Sequence, residues 1–148
     1  MKTRGAALVT ATGLVLLCGC VPGAVREADS LAEQVDRRVT LSRLQHWATQ
    51  SVAAYNNHVM KAAGPSYYRS PGRVRLPSRQ IPDRVRYCFS EPLADVSFHL
   101  DASGRADCVV LCWGLKGLYI GPPTCRISQE QWYIRQVKPG IYTYFQYK

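Results

Sequence analysis

Apolar residues recur over residues 41–62 with the period of a helix. Leu41, Leu44, Trp47, Ala48, Val52, Tyr55 and Val59 fall on one face, and Gly64-Pro65 predicts the end. A shorter stretch ahead of it carries a second stripe, Ala28, Leu31, Ala32, Val35 and Val39, with Ser30 and Glu33 spaced as a capping box. At 100° per residue the two stripes point roughly opposite ways, so one straight helix would need two opposed apolar faces. A break near Thr40 is the simpler prediction. Prolines at 65, 71, 77 and 82 then predict an extended, irregular segment over 65–83.

Beyond residue 83 the period becomes two. Val85, Tyr87 and Phe89 alternate with Arg84, Arg86 and Cys88, and Val96, Phe98 and Leu100 alternate with Ser97, His99 and Asp101. Asp101-Ala102-Ser103-Gly104 predicts a turn, Ala106 to Trp113 a more apolar strand, and Leu118-Tyr119-Ile120 a short one. Gln131 to Val137 and Ile141 to Tyr147 read as a hairpin turning through Lys138-Pro139-Gly140. The expected class is α+β: an N-terminal amphipathic helix over about 41–62, then a small disulfide-braced antiparallel β-sheet.

The first twenty residues have another character. Lys2 and Arg4 precede an apolar run from Ala6 to Leu17, the form of an export signal and too short for a spanning helix. The run ends in Leu17-Cys18-Gly19-Cys20, which resembles the lipobox of bacterial lipoproteins. The resemblance implies removal of residues 1–19 as a signal peptide and attachment of a diacylglycerol and an N-acyl chain to Cys20. Several buried acyl chains hold a protein at a bilayer where one does not. Val21 stands where aspartate is associated with inner-membrane retention, so the expectation is an outer-membrane anchor with the domain facing the periplasm. A plain secretory signal cut after Gly19 or Ala24 is the alternative, and it too exports the chain. The expected organisation is signal peptide 1–19, a polar, partly helical, lipid-anchored tether 20–40, and one globular domain 41–148 with a basic Pro/Arg-rich loop at 65–83.

Loss of Cys18 and lipidation of Cys20 leave Cys88, Cys108, Cys112 and Cys125, an even set that in an exported chain predicts two disulfides. Zinc is the sharper competing reading, but these cysteines lack the close-spaced ligand pairs of ribbons and fingers; free buried thiols are the third. On a straight strand Cys108 and Cys112 stand about 13 Å apart, too far to bridge. Cys88 and Cys125 are therefore each expected to take one of them.

Charge adds a binding hypothesis. The formal net charge of +9 falls to +7 once Lys2 and Arg4 leave with the signal. Arg69, Arg73, Arg75 and Arg79, with Arg84 and Arg86 just beyond, face one acid, Asp83, and arginine suits bidentate carboxylate or phosphate contacts. The expected partners are the membrane through the lipid anchor, an envelope protein, and lipopolysaccharide or another polyanion. Nucleic acid is not demanded by any feature.

No Gly-x-Ser-x-Gly elbow, phosphate-cradling glycine loop or HExxH pair occurs, and His46, His58 and His99 have no ligand spacing between them. Glu91 and Asp95 flank a turn at Pro92, where carboxylates are common. With the lipid tether the lipobox resemblance implies, the small size and the basic loop, this suits a non-catalytic envelope lipoprotein, an accessory or assembly factor for secretion, conjugation, pilus or outer-membrane machinery. A periplasmic inhibitor or binder of a soluble cell-wall enzyme is the alternative, and no metal or catalytic residue is assigned.

Overall fold

The computed structural model of this chain describes residues 21–67, 72–127 and 133–146. Residues 1–19, expected as a signal peptide, and Cys20 and Arg69 lie outside the described residues. Helix α1 (Val21–Arg38) and helix α2 (Leu41–Asn56) are followed by strand β1 (Arg73–Arg75), a 3-10 turn (Ser78–Gln80) and the short helix α3 (Asp83–Arg86). Strands β2 (Asp95–Leu100), β3 (Ala106–Trp113), β4 (Lys116–Ile120), β5 (Tyr133–Lys138) and β6 (Ile141–Phe145) complete the domain. All six strands join one antiparallel sheet in the order β1-β2-β3-β4-β6-β5. The α+β class is therefore observed. Among the described residues no helix is long and apolar enough to cross a membrane.

Both helices cover the same sheet face, and the break between them makes this compatible with their opposed stripes. The backbone leaves helical geometry at Thr40, whose side chain makes no cap. Asp36 supplies the cap instead: its Oδ1 accepts from the Leu41 N–H at 2.7 Å, satisfying a donor that the start of α2 would otherwise leave open. Leu31 and Val35 of α1 and Leu41, Leu44 and Ala48 of α2 then meet Val109, Leu111, Leu118, Ile120 and Ile141 in one core. Each fully buried leucine there contributes about 1.5–3 kcal/mol of transfer free energy.

Two expectations are corrected at this point. Residues 20–40 were expected as a tether, but Ala28, Leu31, Ala32, Val35 and Val39 are buried, so α1 from Ala28 onward belongs to the domain. The Arg84–Phe89 stretch, expected as a strand, begins instead with α3. Pro82 and Asp83 start a helical turn, with the Val85 and Arg86 N–H groups donating to the Pro82 carbonyl at 2.8 and 3.1 Å. Val85, Cys88 and Phe89 are buried while Tyr87 is exposed, a spacing of three and four rather than two.

α2 also ends earlier than expected, at Asn56 rather than near residue 62, with His58 in the left-handed region (φ 59°). The Asn56 side chain explains where the helix stops. Its Nδ2 donates to the Ala106 carbonyl at 2.9 Å and its Oδ1 accepts from the Ala106 N–H at 2.8 Å, so one amide bonds both backbone groups at the start of β3. Truncating it strands two polar groups. Asn56→Ala is expected to cost about 1–3 kcal/mol, read as a fall in denaturant midpoint at unchanged slope. Asn57→Ala, exposed next door, should shift it by no more than about 0.5 kcal/mol. Equal effects from the two would show that the Ala106 contact does not hold the helix to the sheet.

Candidate functional site

The predicted basic loop divides on folding. Arg73 on β1 pairs in register with His99 and is buried, its Nη2 donating to the Tyr119 hydroxyl and its guanidinium 5.3 and 5.7 Å from the Tyr119 and Tyr144 ring centres. Arg79 and Arg84 are exposed, and Arg79 borders a shallow depression beside Trp47 and Met60 of the α2 side. Only Arg75 and Arg86 come together. Among the described residues the expected basic loop is not one continuous surface: Arg73 is buried against Tyr119, Arg75 and Arg86 are half-buried, and Arg79 and Arg84 are exposed.

Arg75 and Arg86 line a cleft of about 390 Å³ at the β1 edge, whose floor includes Leu76, Ile81 and Val96. Its lips are Tyr67 and Tyr87, each 71% exposed, which is unusual for aromatic rings in a folded domain. Arg75 stacks on Tyr67 with 4.3 Å to the ring centre, and its Nη2 donates to the Ala63 carbonyl at 3.3 Å. Arg86 donates through Nε to the Ile81 carbonyl at 3.1 Å and through Nη2 to the Ser78 carbonyl. Its link to Asp83 is long, 3.8 Å, and Arg75 has no ion-pair partner among the described residues. Each guanidinium is held by carbonyls yet keeps N–H groups for an incoming anion. Of the carboxylates by the Pro92 turn, Glu91 pairs with Lys116 at 3.1 Å, and Asp95 is buried, accepting from Ser66 at 2.5 Å.

A second constellation was not legible in the sequence. β2 and β3 pair in register from Asp95 and Cys112 to His99 and Cys108, after which Leu100 meets Ala106, leaving Asp107 as an extra residue. Such a bulge breaks alternation and re-aims a side chain. Its consequence is visible in the burial: Ala106 packs with the helix-side core, whereas Cys108, two residues on, packs on the opposite face. Asp107 is thereby brought to His99, Oδ1 to Nδ1 at 2.8 Å, beside the Cys108 thiol. The His99 ring stands edge-on to Tyr119 at 5.9 Å.

Cys125 completes this cluster from the segment after β4. A Cβ on Gly121 would lie 3.0 Å from both the Cys108 and Cys125 Cβ atoms and 2.7 Å from the Asp107 carbonyl, so glycine is what lets this segment close on β3. The close approach at Gly121 sets the Cys108 and Cys125 side chains next to one another. Burial pushes Cys108 well up, and the neighbouring Cys108 thiol pulls Cys125 down. The Tyr142 hydroxyl donates to the Cys125 carbonyl at 3.0 Å, and Gln45 of α2 donates to the Gly121 and Pro139 carbonyls at 2.9 and 2.8 Å.

None of the four cysteines is in a disulfide. The expected pairing of Cys88 with Cys108 or Cys112 is corrected by the faces they occupy. Cys88 lies in the helix-side core, while Cys108, Cys112 and Cys125 share the other face, with the sheet between. Cys112 instead donates to the Gly114 carbonyl at 3.3 Å.

No known protein family, curated protein or solved structure matches this chain.

Burial pushes the Cys88 thiol up to about 11, whereas an unfolded thiol titrates near pH 8.5. The folded state therefore holds this proton more tightly. The stability it supports is full below about pH 8.5 and is lost as pH rises through 11. Cys88→Ala is expected to flatten the alkaline fall in denaturant midpoint over that window. An unchanged slope would assign the whole fall to other buried groups such as Tyr144.

Proposed function

We propose that this chain is a lipid-anchored envelope protein that acts without catalysis, holding an acidic segment of a partner protein in the cleft of Tyr67, Arg75, Arg86 and Tyr87. The anchoring part rests on Leu17-Cys18-Gly19-Cys20 after a charged start and an apolar run. It puts Cys20 at the mature N-terminus, acylated, in the outer membrane with the domain in the periplasm. The binding part rests on one observation: two guanidiniums with uncommitted N–H groups flank an apolar floor between two exposed tyrosines. Arginine and tyrosine are the residue types that dominate interface energetics, and guanidinium favours carboxylate and phosphate. An accessory or assembly role in an envelope machine fits a small anchored binder of this kind. The disulfide brace suggested by the cysteine count is reduced to one bridge, Cys108 to Cys125, which would strap the segment after β4 onto β3.

Purified membranes test the reading in one series. The intact mass should show a lipid-sized increment that is lost in Cys20→Ser, and precursor should accumulate when the lipoprotein signal peptidase is inhibited. Cross-linking in cells should capture an envelope protein with wild type, and Arg75→Ala with Arg86→Ala should reduce capture about tenfold or more, the scale of one interface hot spot. An unlipidated chain sinks the anchor. Unchanged capture, or retention of lipopolysaccharide alone, sinks the cleft as a protein-docking site. A thiol count of four in oxidised protein removes the bridge.

A further inference from the structure

We propose that, with Cys108 and Cys125 reduced, His99, Asp107, Cys108 and Cys125 form a binding site for one thiophilic divalent metal ion of the zinc class. This inference is independent of the anchor and the cleft. It needs only the dithiol form, the form in which the structure stands.

The geometry carries the argument. One ligand atom each from His99, Asp107 and Cys108 lies within 4.8 Å of the others. A tetrahedral ion bonded at about 2.0–2.3 Å needs donor atoms about 3.3–3.8 Å apart, so His99 and Asp107, now 2.8 Å apart, open by about 0.5–1 Å while Cys108 closes by up to about 1 Å. The fourth ligand, Cys125, lies next to Cys108: a Cβ on Gly121 would stand 3.0 Å from the Cβ atoms of both. The set of two thiolates, one imidazole and one carboxylate is chemically a zinc set, since soft sulfur and borderline nitrogen favour zinc over magnesium or calcium. The spacing of the cysteines alone argued against zinc. It did not count the histidine and aspartate that the bulge at Asp107 brings in.

Access and charge also fit. The His99 and Asp107 side chains are 31% and 30% exposed while Cys108 is fully buried, so an ion can arrive from solvent on the His99 side and end against buried sulfur. The ion replaces the proton now shared between His99 Nδ1 and Asp107 Oδ1. Both thiols lose their protons to solvent on binding, so metal uptake releases acid. Two thiolates and one carboxylate around a divalent ion leave one net negative charge, and Arg73 stands beside His99 on the neighbouring strand. Oxidation empties the site: an acceptor disulfide takes two electrons and two protons from the thiols, becomes a dithiol, and leaves Cys108 and Cys125 joined. A bridge and a metal therefore exclude one another.

The test uses Co²⁺ as the probe on the reduced chain under anaerobic conditions. Expected are one Co²⁺ per chain, thiolate-to-cobalt charge-transfer absorption, tetrahedral d–d bands, and displacement by Zn²⁺ with release of protons. Removing a ligand should cost at least what removing its outer partner costs, about 10- to 100-fold in affinity, so His99→Ala and Cys125→Ser should each weaken binding that much. Cys112→Ser should not. A second measurement needs no variant: Zn²⁺ should slow oxidation of the Cys108–Cys125 pair by oxidised glutathione about tenfold or more at saturation. Absence of charge-transfer bands in the wild type overturns the proposal. So does binding that survives Cys125→Ser and His99→Ala, or oxidation at the same rate with and without Zn²⁺.

Discussion

The single extra residue at Asp107 is the constraint on which both faces of the sheet depend. β3 is the strand that the other layers share: α2 lies on it, β2 and β4 flank it, and the segment carrying Cys125 closes on its far side. Strict alternation from Ala106 to Trp113 would turn Ala106 to the face where Cys108 packs. The bulge changes phase once, so Ala106 meets the helices while Cys108, Val110 and Cys112 line the opposite face. The phase change disturbs the ladder beside it. The Asn56 amide bonds the Ala106 backbone at that place, so the helix end and the bulge form one device.

Much of the architecture was legible in the sequence because it follows from period. The strand Ala106–Trp113 is an apolar run fenced by a turn at Asp101–Gly104 and by Gly114, and it forms with those bounds. The break at Thr40 followed from two stripes that no straight helix reconciles, and the β5–β6 hairpin from Pro139-Gly140. The Arg84–Phe89 stretch misled because its letters satisfy two periods at once. Val85 and Phe89 are four apart as well as even in spacing, and Pro82 decides the matter by starting a turn. α1 was read as a tether because its polar residues outnumber its apolar ones, although its stripe was visible.

The candidate sites were less legible, for a physical reason. Arg75 and Arg86 are eleven positions apart and meet only because β1 and α3 fold to one edge. Arg73, indistinguishable from them in sequence, is turned to the sheet face and buried between tyrosines. The His99, Asp107 and Cys108 cluster depends on a register slip that no residue type announces. Its one trace is an aspartate inside an otherwise apolar strand. Pairing rules for cysteines assume that any two can meet, and the sheet between Cys88 and the other three removes that freedom.

The course of α1 bears on how far the domain can travel. Ala28 of that helix is packed into the body, and Arg26 and Glu27 before it are exposed. Helical rise makes the stretch from Val21 to Ala28 about 10–12 Å long. An acylated Cys20 would then join the bilayer to the sheet through a stiff post two turns high, not through a slack cord. The domain would ride just above the lipid headgroups, within reach of targets that come down to that surface.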